Sequence, residues 1–150
     1  MLNENIKAQG QLEIVLRDGD NNIKTTLNVP NLVVTMGKSY IASRIASNTA
    51  NVMSHMEIGT NATVPDATNT TLGFAVANSR TALNVSGGTV SSTQVVYTAV
   101  FGAGVGTGPL TEAGIFNAAS VGSMLCRTTF PLVNKDVSDS LTISWKLTIS

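Results

Sequence analysis

The sequence predicts a mainly β protein, an antiparallel, jelly-roll-like β-sandwich of about eight strands with one short helix. Three observations predict it. Apolar residues recur at every second position over long runs, turn-forming clusters break those runs at intervals of about 8–12 residues, and one segment alone changes to a helical period. The 150 residues suit a single domain spanning 1–150. A domain of this size buries about 68–70% of the surface of its unfolded chain.

The elements follow from local patterning. In "QLEIVLR" Leu12, Ile14 and Leu16 point one way while Glu13, Val15 and Arg17 point the other, as in a half-buried strand. "DGDNN" at 18–22 supplies a turn, and Ile23, Thr25, Leu27 and Val29 resume the alternation up to Pro30, completing a hairpin. From Thr35 the period changes. Met36, Tyr40, Ile41 and Ile45 recur at helical spacing, opposite Lys38, Ser39, Ser43 and Ser47, which predicts a helix over 36–48 with Thr35 as its N-cap.

"HMEIG" at 55–59 reads as a short strand and "TNATVPDATNTTLG" at 60–73 as a loop, because Asn, Thr, Asp and Pro satisfy turns with their own atoms. "RTALNVS", the Gly87-Gly88 turn and "TVSSTQVVYTAVF" read as a second hairpin, with Val95, Tyr97, Ala99 and Phe101 on one face. After the loop "GAGVGTG" at 102–108 come "EAGIFNA" as a strand into a turn, with Asn117 as turn former, "SVGS" as that turn, and "MLCRTTFP" as the returning strand ended by Pro131. In "SLTISWKLTIS" Leu141, Ile143, Trp145, Leu147 and Ile149 alternate with Thr142, Ser144, Lys146 and Thr148, so Trp145 belongs to the core.

Composition restricts the functional class. Lys plus Arg and Asp plus Glu number nine each, and 12% of residues are charged, against roughly 25% in an ordinary soluble domain. So few charges do little to keep copies apart, which points to permanent assembly. The balance argues against nucleic acid as a partner, which needs clustered Lys and Arg. No run reaches the roughly 18 apolar residues of a membrane span, and the opening lacks the basic-then-apolar pattern of a signal peptide. A soluble chain made in a cytoplasm is the expectation. Cys126, the one cysteine, has no partner for an internal disulfide.

Candidate chemistry is sparse. "GAGVGTG" has phosphate-loop glycines, but Gly108 is followed by Pro109 and Leu110 where Lys and Ser or Thr would be needed. His55, the one histidine, has only Cys126 as a further zinc donor of the usual kind. Asp18, Asp20 and Asn22 place oxygens at alternate positions, yet the glycine and Glu of a calcium loop are out of register. A Cys126–His55 nucleophile pair is disfavoured because Cys126 alternates with apolar residues, and adjacent strand residues such as Cys126 and Arg127 face opposite ways. Glu112 and Arg127 read as a cross-strand pair, a structural role worth little unless both are buried. No catalytic, cofactor-binding or metal-ligating residue is assigned. Paired carboxylates for glycoside hydrolysis are missing, and aromatic platforms for sugar are few.

Taken in order, "MSHMEIGT", the loop ending in "DATNTTLG", "FGAGVGTGPLTEAGIFNA", "GSMLCRTTFPLVNK" and "DSLTISWKLTIS" resemble a family of small structural proteins of tailed bacteriophages, described as capsid decoration (cement), head-fibre or tail-fibre proteins. The opening "GDNNIKTTLNVPNLVVTMGKSYIASRIAS" is similar to that family's start, so the resemblance covers nearly the whole chain. It implies a virion protein without catalytic residues, often a homotrimer; the expected place is the outer surface of the capsid. The expected partner is the major capsid protein of the shell, met through a possible arm at residues 1–9 and the loops at 60–71 and 102–109. The alternative is a tail, baseplate or fibre component that contacts a host surface glycan.

Overall fold

The structure, a computed structural model, describes residues 4–46 and 50–150. Its elements are β1 (Ala8–Arg17), β2 (Ile23–Val33), α1 (Thr35–Ile45), β3 (His55–Gly59), β4 (Thr81–Ala82), β5 (Thr89–Ser91), β6 (Gln94–Phe101), β7 (Gly108–Phe116), β8 (Met124–Lys135) and β9 (Ser140–Ile149). The nine strands form one antiparallel sheet in the order β4-β3-β7-β8-β2-β1-β9-β6-β5, curled so that its two halves enclose a common core. The mainly β, sandwich-like class is as the alternation predicts, with nine strands where about eight are expected.

β2 is the corner of this sheet. It pairs with β1 from Ile23↔Arg17 to Asn31↔Gly10, then passes to β8 through Leu32↔Arg127 and Val33↔Cys126. Pro30 does not end the strand, as its lack of an N–H suggests; it stands just before the change of partner, and its carbonyl accepts the Thr128 hydroxyl at 2.7 Å. On the opposite side the curl is stitched by residues just after β4. The Leu83 N–H donates to Ser54 beside β3 at 2.8 Å, and the Asn84 N–H donates to Thr98 of β6 at 2.8 Å.

Period-2 patterning places the core. Leu12, Ile14 and Leu16 of β1, Ala99 and Phe101 of β6, and Leu141, Ile143, Trp145 and Leu147 of β9 face Met56, Ile58, Ala113, Ile115 and Cys126 from the other half. Trp145 is fully buried, as its alternation with aliphatics requires.

Four local expectations are corrected. The predicted hairpin of 80–86 with 89–101 does not form: Thr81 pairs with Met56 of β3, while the hairpin is β5 with β6, turning at Ser92 with φ 55°. Local sequence shows strand-formers on both sides of Gly87-Gly88 without saying which partner each takes. Pro131 does not terminate β8 but sits in an irregular stretch, Leu110↔Val133 giving way to Glu112↔Thr129. Thr35 is the first helical residue and not the N-cap; its N–H donates to Ala67 at 2.8 Å. α1 ends at Ile45, and residues 47 and 48 of the predicted 36–48 lie outside the described residues.

α1 seats most of its predicted apolar face, with Tyr40 and Ile41 packed against the main core and Met36 against a smaller cluster of Val34, Leu72, Phe116 and Met124. Gly37 is its one buried residue, and Ile45 is 80% exposed. A Cβ at Gly37 would run into the Leu125 carbonyl, with the Leu125 Cα at 2.9 Å, so the helix approaches β8 by backbone contact. Gly37→Ala should therefore lower stability by at least about 1 kcal/mol through overpacking, although Ala gains up to about 1 kcal/mol in helix propensity. Urea unfolding checks this, and a higher midpoint in the variant would mean that α1 is not seated on β8.

Candidate functional site

Ala113, Ile115 and Cys126 take the inner positions of β7 and β8, which turns Glu112, Gly114 and Arg127 outward. Arg127 lies opposite Gly114 and is thus a diagonal neighbour of Glu112, a separation of about 7–8 Å between Cα atoms that long side chains cross. Arg127 Nη2 and Nε both donate to Glu112 Oε2, at 2.8 and 2.9 Å. The pair predicted across the strands is thus present, and it is buried: Glu112 is 0% and Arg127 2% exposed.

What buries it is the loop at 60–73. Glu112 Oε1 accepts the N–H groups of Asn61 at 3.2 Å and Phe74 at 2.7 Å, and Oε2 accepts that of Gly73 at 2.9 Å. Arg127 Nη1 reaches the Thr63 carbonyl and Asn69 Oδ1, each at 3.1 Å. Within the loop Asp66 Oδ1 accepts the Thr68 N–H at 2.8 Å and Asn61 Oδ1 that of Thr63 at 2.7 Å, turns of the kind the composition predicts. Its far end is sewn to β3, with Thr60 donating to the Phe74 carbonyl at 2.9 Å and Val76 to Ile58 at 3.0 Å. Leu72 closes a small second core with Val34, Phe116 and Met124.

This scaffold displays two apolar side chains. Phe74 is 67% and Val64 78% exposed, and both Phe74 backbone groups are fixed by the bonds just described. Phe101, Phe116, Phe130, Tyr97 and Trp145 are buried and Tyr40 is partly buried, which leaves Phe74 as the exposed aromatic.

The other sequence candidates lie apart. Cys126 is fully buried and its thiol is pushed up by burial, whereas His55 sits on β3 beyond the intervening β7 and touches the Ser54 hydroxyl at 2.8 Å. Burial, then the Arg80 charge, lowers the His55 pKa. Asp18 spends its carboxylate on its own turn, accepting the N–H groups of Asp20 and Asn22 at 3.0 and 2.9 Å. The glycine loop holds Gly104, Gly106 and Gly108 at φ 77°, 64° and 137° and runs straight into β7, with no helix to face an anion. Among the described residues no group of three His, Cys, Asp or Glu could hold a metal ion. Of the expected arm 1–9, Ala8 and Gln9 belong to β1, Lys7 exchanges backbone bonds with Ser150 at 2.6 and 2.9 Å, and residues 1–3 lie outside the described residues.

Two further ionic contacts have no local sequence signal. Arg80 pairs with Glu57 at 2.9 Å, stacks 3.6 Å from the Phe116 ring centre and donates to Ala118 and Val121 in the β7–β8 turn. Lys24 bridges Asp136 at 3.1 Å and Asp139 at 2.7 Å. Buried Lys135 did carry a signal, being in phase with inward Val133; its ammonium donates to the Gly102 carbonyl at 2.9 Å. Comparison with family models, with curated proteins and with solved structures gives no match to this chain.

Two predictions follow from this geometry. Arg127→Met leaves Glu112 charged and without its cation in the interior, which should cost about 3–5 kcal/mol. In hydrogen exchange by NMR the amides of Asn61, Gly73 and Phe74 should lose protection more than those of β1, and equal loss everywhere would show that the pair does not hold the loop.

The second concerns pH. The Lys24 ammonium, then the Asp136 N–H, hold the Asp139 carboxyl below its ordinary 3.8. The unfolded chain therefore takes up this proton at a higher pH than the folded one. The contribution is present above about pH 3.8 and is lost as pH falls through the depressed folded value. Lys24→Met should flatten the acid limb of a plot of Tm against pH, and an unchanged limb would assign acid sensitivity to other carboxylates.

Proposed function

We propose that this chain is a non-catalytic structural protein of a tailed-bacteriophage particle, a capsid decoration (cement) protein that binds the outer shell and links neighbouring capsomers. The observation that carries the reading is the pinned loop at 60–74, which holds Phe74 out in solvent from a buried ion pair. Aromatic side chains are favoured anchors at protein interfaces, and a loop ordered before binding pays little entropy when it docks. The low charge of the chain and the ordered series of segments that resemble phage structural proteins support the same reading. So does the placement of Cys126 and His55 on opposite faces of the sheet, where they cannot act on one substrate.

Clamping requires several modest contacts acting together. In a homotrimer, the proposed state, three copies of the loop engage the shell at once, and the second and third contacts form at high effective concentration. The glycine loop at 102–109 is the second proposed contact. It is anchored by the Gly104 N–H to the Val137 carbonyl at 2.7 Å and by Lys135.

Stoichiometry is the first test. Quantitative mass spectrometry of purified virions should find the chain at a copy number comparable to that of the major shell protein. A number far below that would move it to the tail, where host surface polysaccharides become the partners to screen. Phe74→Ala should then lower shell occupancy by the equivalent of about 2 kcal/mol, a typical anchor contribution, with an unchanged Tm. Full occupancy in that variant would remove the loop from the interface.

A further inference from the structure

α1 meets β8 through Gly37 and leaves an open groove beside that contact. Ile6, 76% exposed, and Ile45, 80% exposed, line a depression of about 520 Å³ together with Ile41 and Ile149. A second depression of about 290 Å³ shares Ile41, Ile45 and Ile149 and is completed by Tyr97 and Leu147 of the sheet. Large aliphatic side chains left in solvent along a continuous cleft mark an interaction surface more than a defect of packing.

The rim has one sign. Lys7 and Lys38 border the first depression and Arg44 the second, and no carboxylate lines either. None of the three takes part in the ion pairs found among the described residues, which join Lys24, Arg80 and Arg127 to their acids. Arg44 donates to the Ala50 carbonyl at 3.2 Å, a contact that leaves its charge uncancelled. Lys38, Ile41 and Ile45 stand at positions i, i+3 and i+7, so cation and aliphatics form one row along the helix.

We propose that this groove docks an apolar segment of a partner protein that carries carboxylates. The floor selects aliphatic side chains and the unpaired cations select acids beside them, the charge complementarity that fixes register at protein interfaces. A concave cleft fits inserted side chains better than a flat lipid surface. The groove shares no lining residue with the loop at 60–74, and the proposal stands whether or not that loop meets a capsid.

Fluorescence anisotropy on the purified full chain tests it with two synthetic probes, a Leu/Glu-rich peptide and its Leu/Lys-rich counterpart. The Leu/Glu peptide should bind and its affinity should fall as salt is raised. Ile45→Asp should weaken it about tenfold or more, equivalent to about 1.4 kcal/mol, and Lys38→Glu with Arg44→Glu should shift preference to the Leu/Lys peptide. All three positions are on the groove side of α1, and a wild-type Tm certifies each variant; Lys38→Glu alone serves if Ile45→Asp is unstable. Equal binding of both peptides, or binding untouched by the variants, overturns the proposal. So does binding to phosphatidylglycerol vesicles in place of peptide, which makes the partner a membrane, or self-association abolished by Ile45→Asp, which makes it a second copy.

Discussion

The buried pair of Glu112 and Arg127 is the constraint on which one whole side of the molecule depends. Removing a carboxylate and a guanidinium from water costs several kcal/mol per ion even after relaxation, so a bare pair would not hold. Glu112 is not bare: three backbone N–H groups and two guanidinium nitrogens converge on its two oxygens. Hydrogen bonds to charged groups contribute about 1.5–3 kcal/mol each, enough in this number to offset desolvation. The same bonds are the ones that fold the loop at 60–73. The loop buries the pair and the pair orders the loop, so neither forms alone.

This reciprocity explains the tight geometry around it. A Cβ at Gly59 would come within 2.5 Å of Glu112 Oε1, and one at Gly114 within 2.9 Å of Leu72 Cδ2, so glycine is needed wherever the loop closes onto the sheet. The outer face of β7 and β8, which a plain sandwich would leave to solvent, is covered by this loop and by α1. That cover is why Met124 through Thr128 are buried without a break, where alternation predicts every second residue exposed.

Legibility in the sequence follows from how local each determinant is. β1 and β9 are written in their own alternation, because one face of each meets the core along its whole length and the pattern needs no knowledge of the partner. The cross-strand relation of Glu112 and Arg127 was also legible, from the turn between their strands. Its burial was not, since that is set by a loop far upstream in the chain whose polar composition reads as solvated. α1 is legible in part: Met36, Tyr40 and Ile41 of its apolar face pack against the two cores as the period predicts, but the close backbone contact is made by Gly37, and a glycine in a helix carries no hydrophobic signal. Strand pairing of Thr81 fails likewise, because two residues of ladder can join any edge that the curl brings near.

The distribution of charge sorts the surfaces that remain. Glu57, Glu112, Asp136 and Asp139 are consumed by Arg80, Arg127 and Lys24, so a chain already poor in ionic groups spends many of them on its own architecture. Two surfaces stand out from the neutral remainder, and they differ in physics. The loop at 60–74 is polar in composition but displays Phe74 and Val64 and is anchored to a satisfied ion pair, so contact through those two side chains gains from dehydration and shape and owes little to long-range attraction. The groove beside α1 is apolar with an uncompensated cationic rim, so contact there also gains from field and is sensitive to screening. One molecule therefore offers two apolar anchors that share no residue, one of them rimmed by cations, and contact at the two responds differently to salt.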